Sequence, residues 1–164
     1  MKPFEISVLD LAPVKQNKTI HDTFNDSIDL ARFVEKLNYK RFWLAEHHNM
    51  ASIASSATSV LIGFIANGTE KIRVGSGGIM LPNHSSLVIA EQFGTLESLF
   101  PGRIDLGVGR APGTDGLTAK ALGRNPMIIN EQFPRQIQEL QQYFSEENSE
   151  SLVRAIPGEG CDIP

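Results

Sequence analysis

The feature that most constrains the fold is an alternation. Short apolar runs with strand character are separated by longer runs with helical spacing, and no hairpin signal falls between them. Ile6-Ser7-Val8-Leu9 reads as a first strand, ending at Asp10-Leu11-Ala12-Pro13, where proline cannot continue a central ladder. A polar loop, Lys15 to His21, leads to a helix carrying Phe24, Ile28, Ala31, Val34 and Leu37, capped by Asp22 or Thr23 and ended by Asn38. Arg41-Phe42-Trp43-Leu44 is the second strand. Beyond the small polar residues of Asn49 to Ser55, Ser55 or Ser56 caps a second helix through Val60, Leu61, Phe64 and Ile65, closed by Asn67-Gly68. Lys71 to Leu81 is the third strand. A third helix carries Val88, Ile89, Phe93, Leu96 and Leu99 on an apolar stripe until Phe100-Pro101-Gly102 breaks it. Arg103 to Arg110 is the fourth strand, followed by a long loop from Ala111 to Gly116, a helix around Glu131 to Phe144 and a polar loop from Ser145 to Ser151. Alternation of this kind demands a parallel sheet with right-handed crossovers. An open doubly wound sheet and a βα-barrel both fit, and both place ligands at the carboxyl ends of the strands.

Bulk properties remove several functional classes. A net charge of −4 and scattered basic residues give no footprint for nucleic acid. Cys161 is the single cysteine, which excludes an internal disulfide and a cysteine-based zinc cluster. Glu5 and Asp10 interrupt the N-terminus before it could act as a signal peptide, and no apolar run approaches the length of a membrane span. The expected address is the cytoplasm, and residues 1–164 are expected to form one domain.

Three stretches could carry chemistry. Arg41 to Leu44 runs directly into Ala45-Glu46-His47-His48, so an acid and two imidazoles fall at a strand's carboxyl end. Histidine there suits general acid or base work near neutral pH, with a pair of surface loop histidines as the plainer alternative. A metal site is not expected, because adjacent histidines on a strand end point apart and no third ligand is spaced nearby. Gly75-Ser76-Gly77-Gly78 lets backbone approach a flat ligand closely, or marks a bulge or a strand held tight against its neighbour. Gly107-Val108-Gly109-Arg110 lacks the third glycine of a dinucleotide fingerprint. It serves better as a turn presenting the Arg110 guanidinium to a phosphate, or as an ordinary surface ion pair. His21 and His84 read as cap or loop residues, and Glu131 to Gln142 as a solvated helix face.

Ala45 to His48, Gly75 to His84 and Pro101 to Asp115 together resemble the bacterial-luciferase-like flavin monooxygenases, in the same order and spacing, and the likeness runs over essentially the entire chain. The resemblance implies an α/β fold of the parallel βα-barrel (TIM-barrel) type with reduced FMN at the carboxyl ends of the strands. It assigns catalysis to His47, a non-prolyl cis peptide against the flavin ring to Gly77-Gly78, contacts near the isoalloxazine to Met80 and Gly109, and the flavin phosphate to Arg110. It further implies use of O2 to oxidise a small organic substrate such as an aldehyde, with a separate flavin reductase supplying the reduced cofactor. Ser86 departs from the proline that often opens the third helix in such proteins. A whole βα-barrel needs about 250 residues, so this chain is expected to hold about four βα units. A half-barrel leaves open edges and is expected to associate with itself. A non-catalytic half-barrel that binds flavin poorly, and a deazaflavin-dependent oxidoreductase, are the alternatives.

Overall fold

A computed structural model describes residues 4–111, 114–124, 129–146 and 150–164. Strands β1 (Ser7–Asp10), β2 (Arg41–Leu44), β3 (Arg73–Met80) and β4 (Ile104–Gly109) form one sheet. They alternate with helices α1 (Ile20–Lys36), α2 (Thr58–Asn67), α3 (Ser86–Leu99), α4 (Gly116–Ala121) and α5 (Ile129–Phe144), and a 3-10 turn at Leu81–Asn83 links β3 to α3. All pairings are parallel and the strand order is β1-β2-β3-β4. Each strand hands on to the next without the reversal that defines a doubly wound sheet, which is the arrangement of a barrel wall.

The register places Leu9, Trp43, Gly75 and Asp105 at one level across the sheet. That face also carries Arg41 and Arg73. The opposite face turns Phe42, Leu44, Val74 and Ile104 into a core shared with Ile62 and Ile65 of α2 and Ile89 and Phe93 of α3. The helices therefore cover one side of the sheet only. On the other, Leu9 is 51% exposed and Gly77 lies open. At the outer edge of β4 the Leu106 N–H donates to the Pro164 carbonyl at 2.8 Å, where a next parallel strand would pair.

Several expected boundaries shift for identifiable reasons. Helix α1 starts at Ile20, ahead of the expected caps. Thr19 and Asp22 close a capping box in which the Asp22 N–H donates to Thr19 Oγ1 and the Thr19 N–H to Asp22 Oδ2. Asn38 takes φ of 61° immediately past the helix, as its placement as a terminator requires. Neither Ser55 nor Ser56 caps α2. Ala57 is the N-cap, while the Ser55 carbonyl is occupied by the His47 N–H and Thr58 Oγ1. In α3 Val88 and Leu99 are exposed, and the buried stripe instead runs through Ile89, Ala90, Phe93, Gly94 and Leu96. Gly94 sets that orientation, since a Cβ there would lie 2.2 Å from the Gly158 Cα. The expected loop after β4 ends in α4, because Asp115 accepts from the Leu117 and Thr118 N–H groups and nucleates a short helix. The face around Glu131 to Gln142 is not wholly solvated: Leu140 is buried and Phe133 and Ile137 pack against the core.

Candidate functional site

The carboxyl end of β2 runs into Ala45, whose N–H donates to the Asp10 carbonyl at the end of β1. Glu46 follows, completely buried. Its Oε1 pairs with His48 Nε2 at 2.8 Å and His84 Nε2 at 2.9 Å, and its Oε2 accepts the Met80 N–H at 2.9 Å. An ionised carboxylate only accepts, so both imidazoles donate from Nε2. Burial pushes the Glu46 carboxyl up. Hydrogen bonds from His84 and His48, attraction to His84 and the Met80 N–H outweigh that push, and the group is held below its ordinary value. One buried acid thus ties the end of β2 to the end of β3.

His47 stands apart from this network. Its backbone N–H bonds the Ser55 carbonyl, and its ring Nδ1 is buried without a hydrogen-bond partner. The adjacent Glu46 carboxylate is engaged instead by His48 and by a histidine from another loop. His84, read from sequence as a cap or loop residue, therefore belongs to the site, and a third candidate ligand does lie close to Glu46 and His48. Its carbonyl is held by Gln136 Nε2 of α5, at 3.1 Å. The signal that could have found His84 is topological, since a residue four positions beyond a parallel strand falls at the same sheet end as Glu46.

Gly77-Gly78 is a cis peptide. The bulge and the tight strand contact expected of the glycine run are both present. The register shifts between Ser76 and Ile79, so β3 is bulged there, and a Cβ on Gly78 would lie 2.8 Å from the Gly107 carbonyl oxygen. Gly77, by contrast, faces the open side of the sheet and flanks an apolar hollow of about 290 Å³ lined by Leu9, Trp43, Ser76, Gly77 and Gly107. Met80 and Gly109 are register partners, and a Cβ on Gly109 would come within 3.0 Å of Met80 Sδ. The glycine makes room for the thioether.

Arg110 is exposed at the end of β4, and its carbonyl accepts from Arg124 Nη2 at 2.7 Å. Arg124 had no signal in the sequence. It is 7% exposed, its Nε and Nη1 are buried without partners, and burial pushes its guanidinium down. Among the described residues no anion meets these two nitrogens of the buried cation. The β2–α2 and β4–α4 loops are latched to each other. Thr114 Oγ1 donates to the His48 carbonyl, and Asn49 Nδ2 donates to Asp115, whose carboxyl is lowered to about 2 by the Thr118 backbone, the Thr118 hydroxyl and Asn49. Pro112 and Gly113 lie outside the described residues. The arrangement offers an apolar platform, a buried donor set for an anion, and two separate imidazole environments at one sheet end. No helix among the described residues is long and apolar enough to cross a membrane.

The profile of a family described as luciferase-like monooxygenase matches residues 4–134. A Bacillus subtilis (strain 168) protein, YvbT, is 66% identical over 97% of this chain and 47% of its own length. A luciferase-like monooxygenase of Escherichia coli (strain K12) is 54% identical over 99% of this chain and 49% of its own. The crystal structure of apo-MsnO8 superposes with a TM-score of 0.85 at 38% identity, over 93% of this chain and 45% of that one. The chain therefore spans about half the length of the relatives it matches.

Proposed function

Because the chain belongs to the luciferase-like monooxygenase family, we propose that it forms one wall of an FMN-dependent monooxygenase site, which uses reduced flavin and O2 to oxidise a small organic substrate such as an aldehyde. The observation that carries this reading is the orphaned Arg124 guanidinium beside Arg110, at the same sheet end as the cis Gly77-Gly78 peptide. An isoalloxazine ring needs a flat apolar support and a phosphate needs fixed donors, and the residues present fit both demands. Gly77, Gly78, Met80 and Gly109 would support the ring, with Trp43 and Leu9 flanking it. Arg124 and Arg110 would hold the phosphate.

Bound reduced FMN would supply the electrons that activate O2, one oxygen atom going to the substrate and the other leaving as water. His47 is the proposed proton-handling group. Its buried Nδ1 has no partner, so proton exchange with the site falls to Nε2. Glu46 orients His48 and His84 and holds the Met80 amide, which keeps the ring platform in register with the end of β2. A separate reductase would deliver the reduced flavin. The exposed barrel-facing side, with Leu9 open to solvent, supports self-association to complete the wall.

The same open face favours a second reading, a half-barrel that associates but binds flavin poorly. Anaerobic titration with reduced FMN separates the two. Saturable binding that weakens on Arg124→Met supports the enzyme reading. Absence of saturable binding to the associated protein overturns it, and preferential binding of a reduced deazaflavin would move the chain to hydride transfer.

A further inference from the structure

We propose that Glu46, His48 and His84 form a binding site for one divalent first-row transition ion of the zinc type, with one coordination position left open. Two imidazole nitrogens and a carboxylate oxygen are the donor set that zinc, cobalt and nickel accept. The three candidate ligand atoms lie within 4.8 Å of one another. The two Nε2 atoms already converge on one carboxylate oxygen, at 2.8 and 2.9 Å. A tetrahedral ion with bonds of about 2.0 Å sets its ligands about 3.3 Å apart, so each imidazole would withdraw from that oxygen by roughly half an ångström.

The surroundings hold the carboxylate and the backbone that carry these ligands. Glu46 Oε2 is held by the Met80 N–H, so the carboxylate keeps an anchor while Oε1 turns to the ion. The His84 carbonyl is held by Gln136 and the His48 carbonyl by Thr114. Both imidazoles can present a lone pair at Nε2 by moving the ring proton to Nδ1, and neither Nδ1 is a buried atom lacking a partner, unlike that of His47. Glu46 supplies one negative charge from a fully buried position, where an ion's charge is felt most strongly. Access comes from the His84 side, which lines a polar hollow of about 470 Å³ together with Gln132, Arg135 and Gln136. The ion would clamp the end of β2 to the turn after β3, and it is independent of any flavin.

The test is equilibrium dialysis and visible spectroscopy of the full chain with Co2+ alone, followed by competition with Zn2+. Expected are one ion per chain, the visible absorption of four-coordinate cobalt, and its loss on zinc addition. His48→Gln and His84→Gln should each weaken binding by at least the roughly 10–100-fold that loss of an outer-shell partner already costs. His21→Gln and Cys161→Ser should leave it unchanged. No saturable cobalt binding to the wild-type chain would overturn the proposal. So would binding that survives in a circular-dichroism-verified His48→Gln/His84→Gln variant, since the ion would then sit elsewhere. The wild-type stoichiometry and spectrum need no variant to fold.

Discussion

The two ends of the sheet differ in how many polar groups they leave unpaired among the described residues. At the amino end, Glu35 Oε1 accepts three successive backbone N–H groups, those of Glu70, Lys71 and Ile72. Arg103 donates to the carbonyls of Ala66, Thr69 and Ile72 and to Thr69 Oγ1. Asp105 is shared between Arg73 and Arg41 on the barrel-facing side. Among the described residues, the buried atoms Asp10 Oδ2, His47 Nδ1, Ser55 Oγ and Arg124 Nε and Nη1 at the carboxyl end have no partner, and Glu97 Oε2 lies unpaired at the other end. An unmet donor or acceptor costs stability, and it persists where another molecule completes it. The amino end closes the fold, while the carboxyl end leaves these atoms unpaired among the described residues.

Two arginines sharpen that contrast most. Arg103→Met should cost about 3 kcal/mol in urea unfolding, because it strips donors from several carbonyls at once. Arg124→Met should change stability by no more than about 1 kcal/mol, with either sign, since it removes a cation already short of partners. It should nonetheless weaken reduced FMN. Equal destabilisation by the two variants would break the distinction between the ends.

The glycines give a second, smaller contrast within one strand. A Cβ on Gly75 would lie 2.5 Å from the Asp105 carbonyl oxygen, a backbone atom that cannot step aside. Gly75→Ala should therefore cost about 2 kcal/mol as an overpacked pair of strands. On Gly77 the nearest neighbours would be Trp43 Cβ at 3.0 Å and Leu9 Cδ1 at 3.1 Å, on the open side. Gly77→Ala should be the milder change in thermal unfolding and the stronger one in flavin titration. If both variants lose only stability, the glycine run serves strand packing alone.

These contrasts mark what the sequence could show. Alternation of strand and helix is a property of local pattern, and it locates the four strands and their parallel pairing. The blocks around Glu46, Gly77 and Arg110 were legible as one sheet end for the same reason. The division of labour between adjacent histidines was not. It depends on His84 arriving 36 residues after His48, from a loop whose path only packing determines. Arg124 was equally silent, because its significance is that two of its buried nitrogens have no partner among the described residues. The start of α1 differs because Thr19, three residues upstream, wins the cap over Asp22, and that of α2 because the N-cap falls on Ala57, past Ser55 and Ser56.

The smallest expected effect concerns acid. Burial pushes the Glu35 carboxyl up, but the N–H groups of Ile72, Lys71 and Glu70 and the nearby Arg103 charge outweigh it, so its value in the folded chain lies below the ordinary one. A carboxylate lowered on folding contributes stability that is fully present above its unfolded value, near 4.5, and is lost as pH falls through the folded value. Glu35→Gln should therefore lower stability at neutral pH and flatten the loss of stability below about pH 5, with wild-type and variant curves converging in acid. Urea midpoints taken between neutral pH and the acid limb would show this. Curves that stay parallel throughout would mean that the Glu35 clamp works through geometry rather than charge, and that the amino end is held by its hydrogen bonds alone.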